Sequence, residues 1–147
     1  MNNISDSAQL KPFQCFMGHW EGLCMTFDAG GNFLESAAVH LRADWLSDTV
    51  WRFQETWDNL YGFGKAEFDI NLTVEGKTCF GADEKVSITG IGITPENYVF
   101  TIESKISQAI VYNNHYFLNS QQRRVITHKL REGKTHIFQI QDFGRVE

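Results

Sequence analysis

The stretch FMGHWEG, residues 16–22, places Trp20 between two residue types that move protons or bind metals, His19 and Glu21. A period-two alternation begins here and predicts a β-strand, in which successive side chains point to opposite faces. If Trp20 points inward, His19 and Glu21 point outward and cannot act on a molecule held inside the fold. We therefore expect a structural role for Trp20, and we expect catalytic side chains to lie on other strands.

Residues 49–58 contain the strongest candidate for proton transfer. The odd positions of this predicted strand share one face and carry Trp51, Phe53, Glu55 and Trp57. A carboxyl group in an aromatic row loses hydration, which raises its pKa and suits it to general acid catalysis near neutral pH. Two alternatives are that this face meets solvent, or that Glu55 pairs with Arg42 or Arg124. The three aromatic residues are predicted to contact a ligand.

Two histidines flank the turn REGK, and the length of that turn decides whether they meet. With a two-residue loop, Glu132–Gly133, His128 pairs with Ile137 and the two imidazoles face opposite sides. A three-residue loop, 131–133, sets His128 opposite His136, and only this register allows a shared metal. Because no third ligand of evident spacing accompanies the pair, we predict no metal site and no cofactor.

The stretch NNHYF, residues 113–117, supplies further polar candidates. It places His115 or Tyr116 at the mouth of a cavity, and its two asparagines would hydrogen-bond a polar group of a ligand. Arg124 is predicted as another ligand contact. Nucleophile elbows, phosphate-binding loops and the H-E-x-x-H zinc motif are absent from the sequence.

Alternation of apolar and polar residues runs through almost all of the chain after Gly18. It predicts strands at 19–28, 33–45, 49–58, 65–74, 77–82, 85–93, 97–104, 106–117, 122–130 and 135–143. Turn sequences such as DAGGN and YGFG separate them, and no helical periods lie between them, which excludes a βαβ architecture. Residues 5–16 predict one short helix or helical turn. A carboxylate within an aromatic inner face favours a ligand-holding barrel over a packed sandwich.

The fold prediction is therefore an all-β, single antiparallel up-and-down barrel of about 8–10 strands, with one domain spanning 1–147. The net charge of -5 gives no attraction for nucleic acid or anionic membranes. No secretory leader or membrane span is evident, so we expect a cytoplasmic protein. Three widely separated cysteines fit no disulfide framework, and we expect buried thiols.

The stretch GHWEG resembles the G-x-W signature of the calycin superfamily, the lipocalins and fatty-acid-binding proteins. Residues 13–36, about the first quarter of the chain, are similar to the opening of a lipocalin-like domain family of cyanobacteria and plastids. That family is related to the S-type lyases that attach bilin chromophores to phycobiliproteins. The resemblance implies that Trp20 plugs the closed end of a barrel, that Gly18 belongs to the plug, and that Arg145 packs across the indole. An indole covered by a guanidinium is a physically sound closure.

Two classes of function share the predicted cavity. The first is binding of a hydrophobic, ring-containing small molecule such as a bilin or other tetrapyrrole, a carotenoid or another isoprenoid. The second is an enzyme, namely an isomerase, a cyclase or a chromophore lyase, in which Glu55 with a histidine or tyrosine moves a proton. A third, weaker hypothesis is an interaction module that docks a client protein through Arg123, Arg124 and the N-terminal segment. A homodimer is left open.

Overall fold

The computed structural model describes residues 11–58 and 66–146. Ten strands and one 3₁₀ helix, Gln14–Phe16, form this part of the chain. The strands are β1 (Gly18–Asp28), β2 (Phe33–Trp45), β3 (Val50–Trp57), β4 (Ala66–Glu75), β5 (Thr78–Ala82), β6 (Val86–Thr94), β7 (Asn97–Ser104), β8 (Ala109–Asn119), β9 (Gln122–Arg131) and β10 (Lys134–Val146).

Each strand pairs with its sequence neighbours, and β10 pairs with β1, so the sheet closes into a ten-stranded up-and-down barrel. The pairings are antiparallel, as expected for strands joined by short turns. The predicted all-β, antiparallel barrel is confirmed. Among the described residues, no helix is long and apolar enough to cross a membrane.

The predicted N-terminal helix is reduced to one turn in the described chain. Phe13 precedes the 3₁₀ helix with φ of 72°, a left-handed conformation through which a right-handed helix cannot continue. Residues 5–10 of the predicted helix lie outside the described residues. The strand predicted at 106–117 begins instead at Ala109, because the hydroxyl of Ser104 accepts hydrogen bonds from the backbone N–H groups of Ile106 and Ser107 and forms a turn there.

The hairpin of β9 and β10 has a register that neither predicted loop length produces. Its loop is the two-residue turn Glu132–Gly133, with φ of 54° and 79°. A bulge follows, between Thr135 and Ile137, so His128 lies opposite Phe138 rather than Ile137 or His136. The His128 ring stacks on Phe138, with centroids 4.7 Å apart, and bonds the Thr135 hydroxyl at 3.0 Å. The two histidines therefore do not face each other.

The closed end of the barrel is the end that contains the start of β1 and the end of β10. The 3₁₀ helix enters the barrel there, and Phe16 contacts the rings of Trp51, Tyr98, Phe100 and Phe117 at centroid distances of 4.9–5.5 Å. The backbones of β1 and β10, which close the barrel, also approach each other closely. At Gly22 of β1 a Cβ atom would overlap the backbone carbonyl of Asp142 on β10. Glycine is required where two backbones approach this closely.

Candidate ligand-binding cavity

A cavity of about 310 Å³ lies inside the barrel, next to the aromatic closed end. This volume is at the lower limit of the range of about 300–1,000 Å³ typical of ligand pockets. Residues predicted as ligand contacts line it, namely Trp51, Phe53, Trp57 and His115, and Glu55 lies beside them. The odd positions of β3 therefore form its inner face, because alternate side chains of a strand leave on opposite sides.

One wall of the cavity is apolar. It is formed by the inward side chains of β2, β3, β4, β6 and β7, which include Leu41, Phe53, Phe68, Leu72, Ile88 and Phe100. The rings of Phe53 and Phe68 meet edge to face, with centroids 6.3 Å apart. Such a surface favours flat, hydrophobic ring systems, which gain dispersion contacts without losing hydrogen bonds.

The opposite wall is polar and internally hydrogen-bonded. On β8 and β9, the Thr127 hydroxyl donates to the Asn113 side-chain oxygen at 2.6 Å and accepts from the Gln141 amide at 3.1 Å. On β10 and β1, the Gln139 amide donates to the Thr26 hydroxyl at 3.0 Å. These mutual bonds satisfy polar groups that would be costly to bury unpaired. The cavity thus offers one apolar side and one side of neutral hydrogen-bonding groups.

Two carboxyl groups line this cavity, those of the exposed Glu67 and of Glu55, which lies within the aromatic row of β3. The Oε2 atom of Glu55 accepts a hydrogen bond from the indole N–H of Trp57 on the same strand. Burial raises the pKa of Glu55, and the Trp57 hydrogen bond and the charge of Arg123 only partly oppose that shift. Neither arginine considered from the sequence is its partner. Arg42 pairs with Asp44, and Arg124 pairs elsewhere on the outer surface.

Several buried polar atoms around the cavity have no hydrogen-bond partner among the described residues. They are Trp51 Nε1, His115 Nδ1, and Nε and Nη1 of Arg123. Trp51 and His115 line the cavity directly. Burial and the nearby charge of Arg123 hold the pKa of His115 well below its usual range, so its imidazole is neutral. An unpaired buried polar group costs about 1–3 kcal/mol, and a polar atom of a ligand would remove that cost.

Two guanidinium groups lie against the indole of Trp20 at the closed end. Trp20 is fully buried, and its N–H donates to the Phe16 carbonyl at 3.2 Å. The Cζ atom of Arg145 lies 4.3 Å from the ring centroid, and that of Arg123 lies 4.6 Å away. Arg145 also donates to the Met17 and Cys15 carbonyls. These bonds join the end of β10 to the segment that fills the barrel.

Gly18 has φ of 105° and stands directly against the Arg145 guanidinium, where a Cβ atom would come within 2.6 Å of Nη1. The positive φ and the close contact both favour glycine. Arg123 is buried under four rings, those of Phe16, Trp20, Phe117 and Phe143. Burial lowers the pKa of Arg123 to about 9. Its side chain remains cationic at neutral pH.

Tyr116 and Arg124, both predicted to contact the ligand, do not face the cavity. Tyr116 is 40% exposed, and Arg124 forms a bidentate ion pair with Asp142 at 2.7 and 3.0 Å on the outer surface. Strand alternation is the reason, since the neighbours His115 and Arg123 occupy the inward positions. The side chains of Tyr116 and Arg124 therefore lie outside the cavity, and the inward arginine is Arg123.

Most of the polar wall was not predicted from the sequence. Thr26, Thr127, Gln139 and Gln141 occupy the same face as buried apolar neighbours two residues away, and that spacing was the available signal. Cys24 also lies inward, hydrogen-bonded to Thr26. Burial raises the pKa of Cys24 to about 12, so this thiol is not a nucleophile at neutral pH.

No family model matches the sequence, and no curated protein matches it. Solved structures do match the fold. The S-type phycobiliprotein lyase CPES from Guillardia theta superposes with a TM-score of 0.75 at 8% identity, over 100% of this chain and 99% of that one. A protein of unknown function of the DUF3598 family from Nostoc punctiforme gives 0.77 at 12% identity, over 93% of this chain and 50% of that one.

A redesigned β-barrel matches less closely, with a TM-score of 0.53 at 9% identity over 95% of this chain and 98% of that one. At such identities the likeness concerns the fold. The chain therefore shares a closed antiparallel β-barrel fold with these proteins, which agrees with the barrel that the resemblance of residues 13–36 implies.

Proposed function

We propose that the barrel binds a hydrophobic, ring-containing small molecule that carries at least one polar group. Trp51 and His115 carry this proposal, because both residues line the cavity and each has a buried polar atom without a hydrogen-bond partner among the described residues. Buried polar groups without partners are rare in folded proteins, and a bound ligand is one recognised way of satisfying them. Because His115 is neutral and Trp51 only donates, the best matched ligand group is an uncharged oxygen or N–H.

A linear tetrapyrrole of the bilin class is the first ligand to test. Its conjugated rings suit the apolar wall, and its pyrrole N–H groups and terminal carbonyls suit the polar wall and Glu55. The likeness of the fold to an S-type phycobiliprotein lyase supports this choice. A cavity of about 310 Å³ accommodates part of such a molecule. A smaller isoprenoid is the competing ligand, because it needs the apolar wall alone.

Binding is tested with biliverdin as the tetrapyrrole probe and retinol as the isoprenoid probe. Absorption and induced circular dichroism report capture of biliverdin, and quenching of tryptophan fluorescence reports either probe. The variant Val111→Trp adds an indole to the cavity wall, whereas Thr89→Trp adds the same group to the outer surface of β6. We expect the first variant to lose binding and the second to keep it.

Failure of the wild-type protein to bind either probe would overturn this proposal. So would equal binding by Val111→Trp and the wild-type protein, because the probe would then occupy another surface. Preference for retinol over biliverdin would replace the tetrapyrrole with an isoprenoid while keeping the cavity as the site.

A second candidate function is proton-transfer catalysis in the same cavity, and the raised pKa of Glu55 favours it. A protonated Glu55 can donate its proton to a ligand carbonyl or double bond, and its carboxylate can then remove a proton from the cationic intermediate to give the product, as an isomerase, cyclase or chromophore lyase requires. We expect Glu55→Gln to bind the ligand but not to convert it. The matched control is Glu103→Gln, an exposed glutamate on β7. Unchanged conversion by Glu55→Gln would exclude Glu55 as the catalytic acid.

A further inference from the structure

Three potential metal ligands meet on the outer face of β1 and β2. His19 and Glu21 are two residues apart on β1, and His40 pairs directly with Glu21 across the hairpin. One donor atom from each of the three lies within 4.8 Å of the others. His40 Nδ1 is 3.4 Å from Glu21 Oε2. Because all three project from paired strands, the backbone holds them on one face without a metal.

The second ring nitrogen of His40 faces another carboxylate. Its Nε2 atom is 3.8 Å from Oδ2 of Asp58, whose backbone N–H donates to the Ala38 carbonyl. Histidines that bind metals commonly direct their other N–H to a carboxylate, which fixes the tautomer and makes the ligating nitrogen more basic. At 3.8 Å the Asp58 carboxylate is beyond hydrogen-bond distance of Nε2, and a small side-chain rotation would let it accept the Nε2 proton when Nδ1, on the side of Glu21, binds a metal.

The charges around the cluster favour a cation. Glu21 and Asp58 are acidic residues, and Arg42, a basic residue on the same face, lies opposite His19. The Arg42 Nε atom donates to Asp44 at 3.1 Å, so its charge is already paired. The cluster is partly exposed, with 39% of the His40 side chain and 49% of the Glu21 side chain accessible. An ion from solvent can therefore reach it directly.

We propose that His19, Glu21 and His40 form a divalent transition-metal site, with zinc as the ion that fits best and Asp58 as the positioning residue. Two imidazoles and one carboxylate are a known zinc ligand set that leaves a fourth position open. Zinc–ligand bonds of about 2.0–2.2 Å allow donor atoms to be at most about 4.4 Å apart. Small side-chain rotations bring the three donors from their present separations into this range. The site is separate from the cavity, because the three side chains point away from it.

Isothermal titration calorimetry, with zinc chloride titrated into tag-free protein, tests the site. The absorption spectrum of bound cobalt(II) reports the ligand geometry. We expect one ion per chain. Asp58→Asn is expected to weaken binding about 10–100-fold, and loss of a ligand in His19→Ala or His40→Ala to weaken it further. His136→Ala removes an exposed histidine of β10 and is expected to bind zinc as the wild-type protein does.

Thermal unfolding separates metal binding from structural damage. Zinc stabilises only a folded state that binds it, so it should raise the midpoint of the wild-type protein and of His136→Ala, but not that of His40→Ala. Without zinc, all of these variants are expected to melt near the wild-type midpoint, because the side chains lie on the surface. No zinc binding by the wild-type protein, or unchanged binding by His40→Ala, would overturn the proposal.

Discussion

Replacing Trp20 with alanine tests how far the closed end of the barrel depends on one side chain. Trp20 is fully buried, and its ring contacts the guanidinium groups of Arg145 and Arg123 at 4.3 and 4.6 Å. Truncating a buried tryptophan costs about 3–5 kcal/mol, and losing a desolvated cation–π contact costs about 2 kcal/mol. These costs overlap because they involve the same atoms. We expect the free energy of unfolding to fall by about 4–5 kcal/mol.

Urea denaturation followed by far-ultraviolet circular dichroism measures this change. A domain of this size is typically stable by about 5–15 kcal/mol, so Trp20→Ala should lose a large fraction of that free energy and should be only marginally folded if the wild-type value is near the lower limit. Trp20→Phe keeps an aromatic ring but removes the hydrogen bond to the Phe16 carbonyl, so its decrease in the free energy of unfolding should be smaller than that of Trp20→Ala. Trp45→Ala is the control, because Trp45 is only partly buried. A loss below about 1 kcal/mol for Trp20→Ala would refute the closure by Trp20.

Gly22→Ala is expected to lower the free energy of unfolding by about 1–3 kcal/mol or more, because its Cβ would overlap the β10 backbone. Gly30→Ala, in the β1–β2 turn, is the control and is expected to be close to neutral. Equal thermal melting midpoints for the two variants would contradict the close approach of β1 and β10. Glu55 has a raised folded pKa, so the wild-type stability should fall as pH rises from its unfolded pKa of about 4.3 to its folded pKa, by up to about 1.4 kcal/mol per pH unit. Glu55→Gln should lose this dependence in urea midpoints measured across that window, and parallel curves would be incompatible with a raised pKa. Arg123→Ala is expected to cost at least about 2 kcal/mol, because it removes a buried side chain packed against four rings, while Arg124→Ala is expected to leave the urea midpoint unchanged; similar losses would contradict their opposite orientations.

The strands were predictable because their signal is local. A half-buried strand needs alternating apolar and polar side chains, and the turns between strands need particular residues. Both requirements are met within a few neighbouring positions, so the ten strands and the inner face of β3 could be predicted. One error came where a single residue changes the phase of the alternation. The bulge between Thr135 and Ile137 moved His128 opposite Phe138, and no local pattern marks that bulge.

The candidate sites depend on contacts between distant parts of the chain. The polar wall joins Thr26 to Gln139, 113 residues away, and His40 meets Glu21 only because β1 and β2 pair in one register. The adjacent arginines 123 and 124 show the same limit. Either arginine could contact a ligand by its chemistry, but strand alternation places the Arg123 side chain inside the barrel and the Arg124 side chain in an ion pair on the surface.

By itself, the sequence determined the β-strands and the inward direction of Trp20, because alternation and turn chemistry act between neighbouring residues. The closed end was implied only by the resemblance to the G-x-W signature. Only the tertiary structure decided which polar groups share the cavity and which histidines meet. These proximities result from strand register and barrel closure, which place residues together that are far apart in sequence. The pairing of β1 with β2 brings His40 beside His19 and Glu21 on the outer face. Trp20, which lies between His19 and Glu21 in the sequence, points to the inner face and is buried.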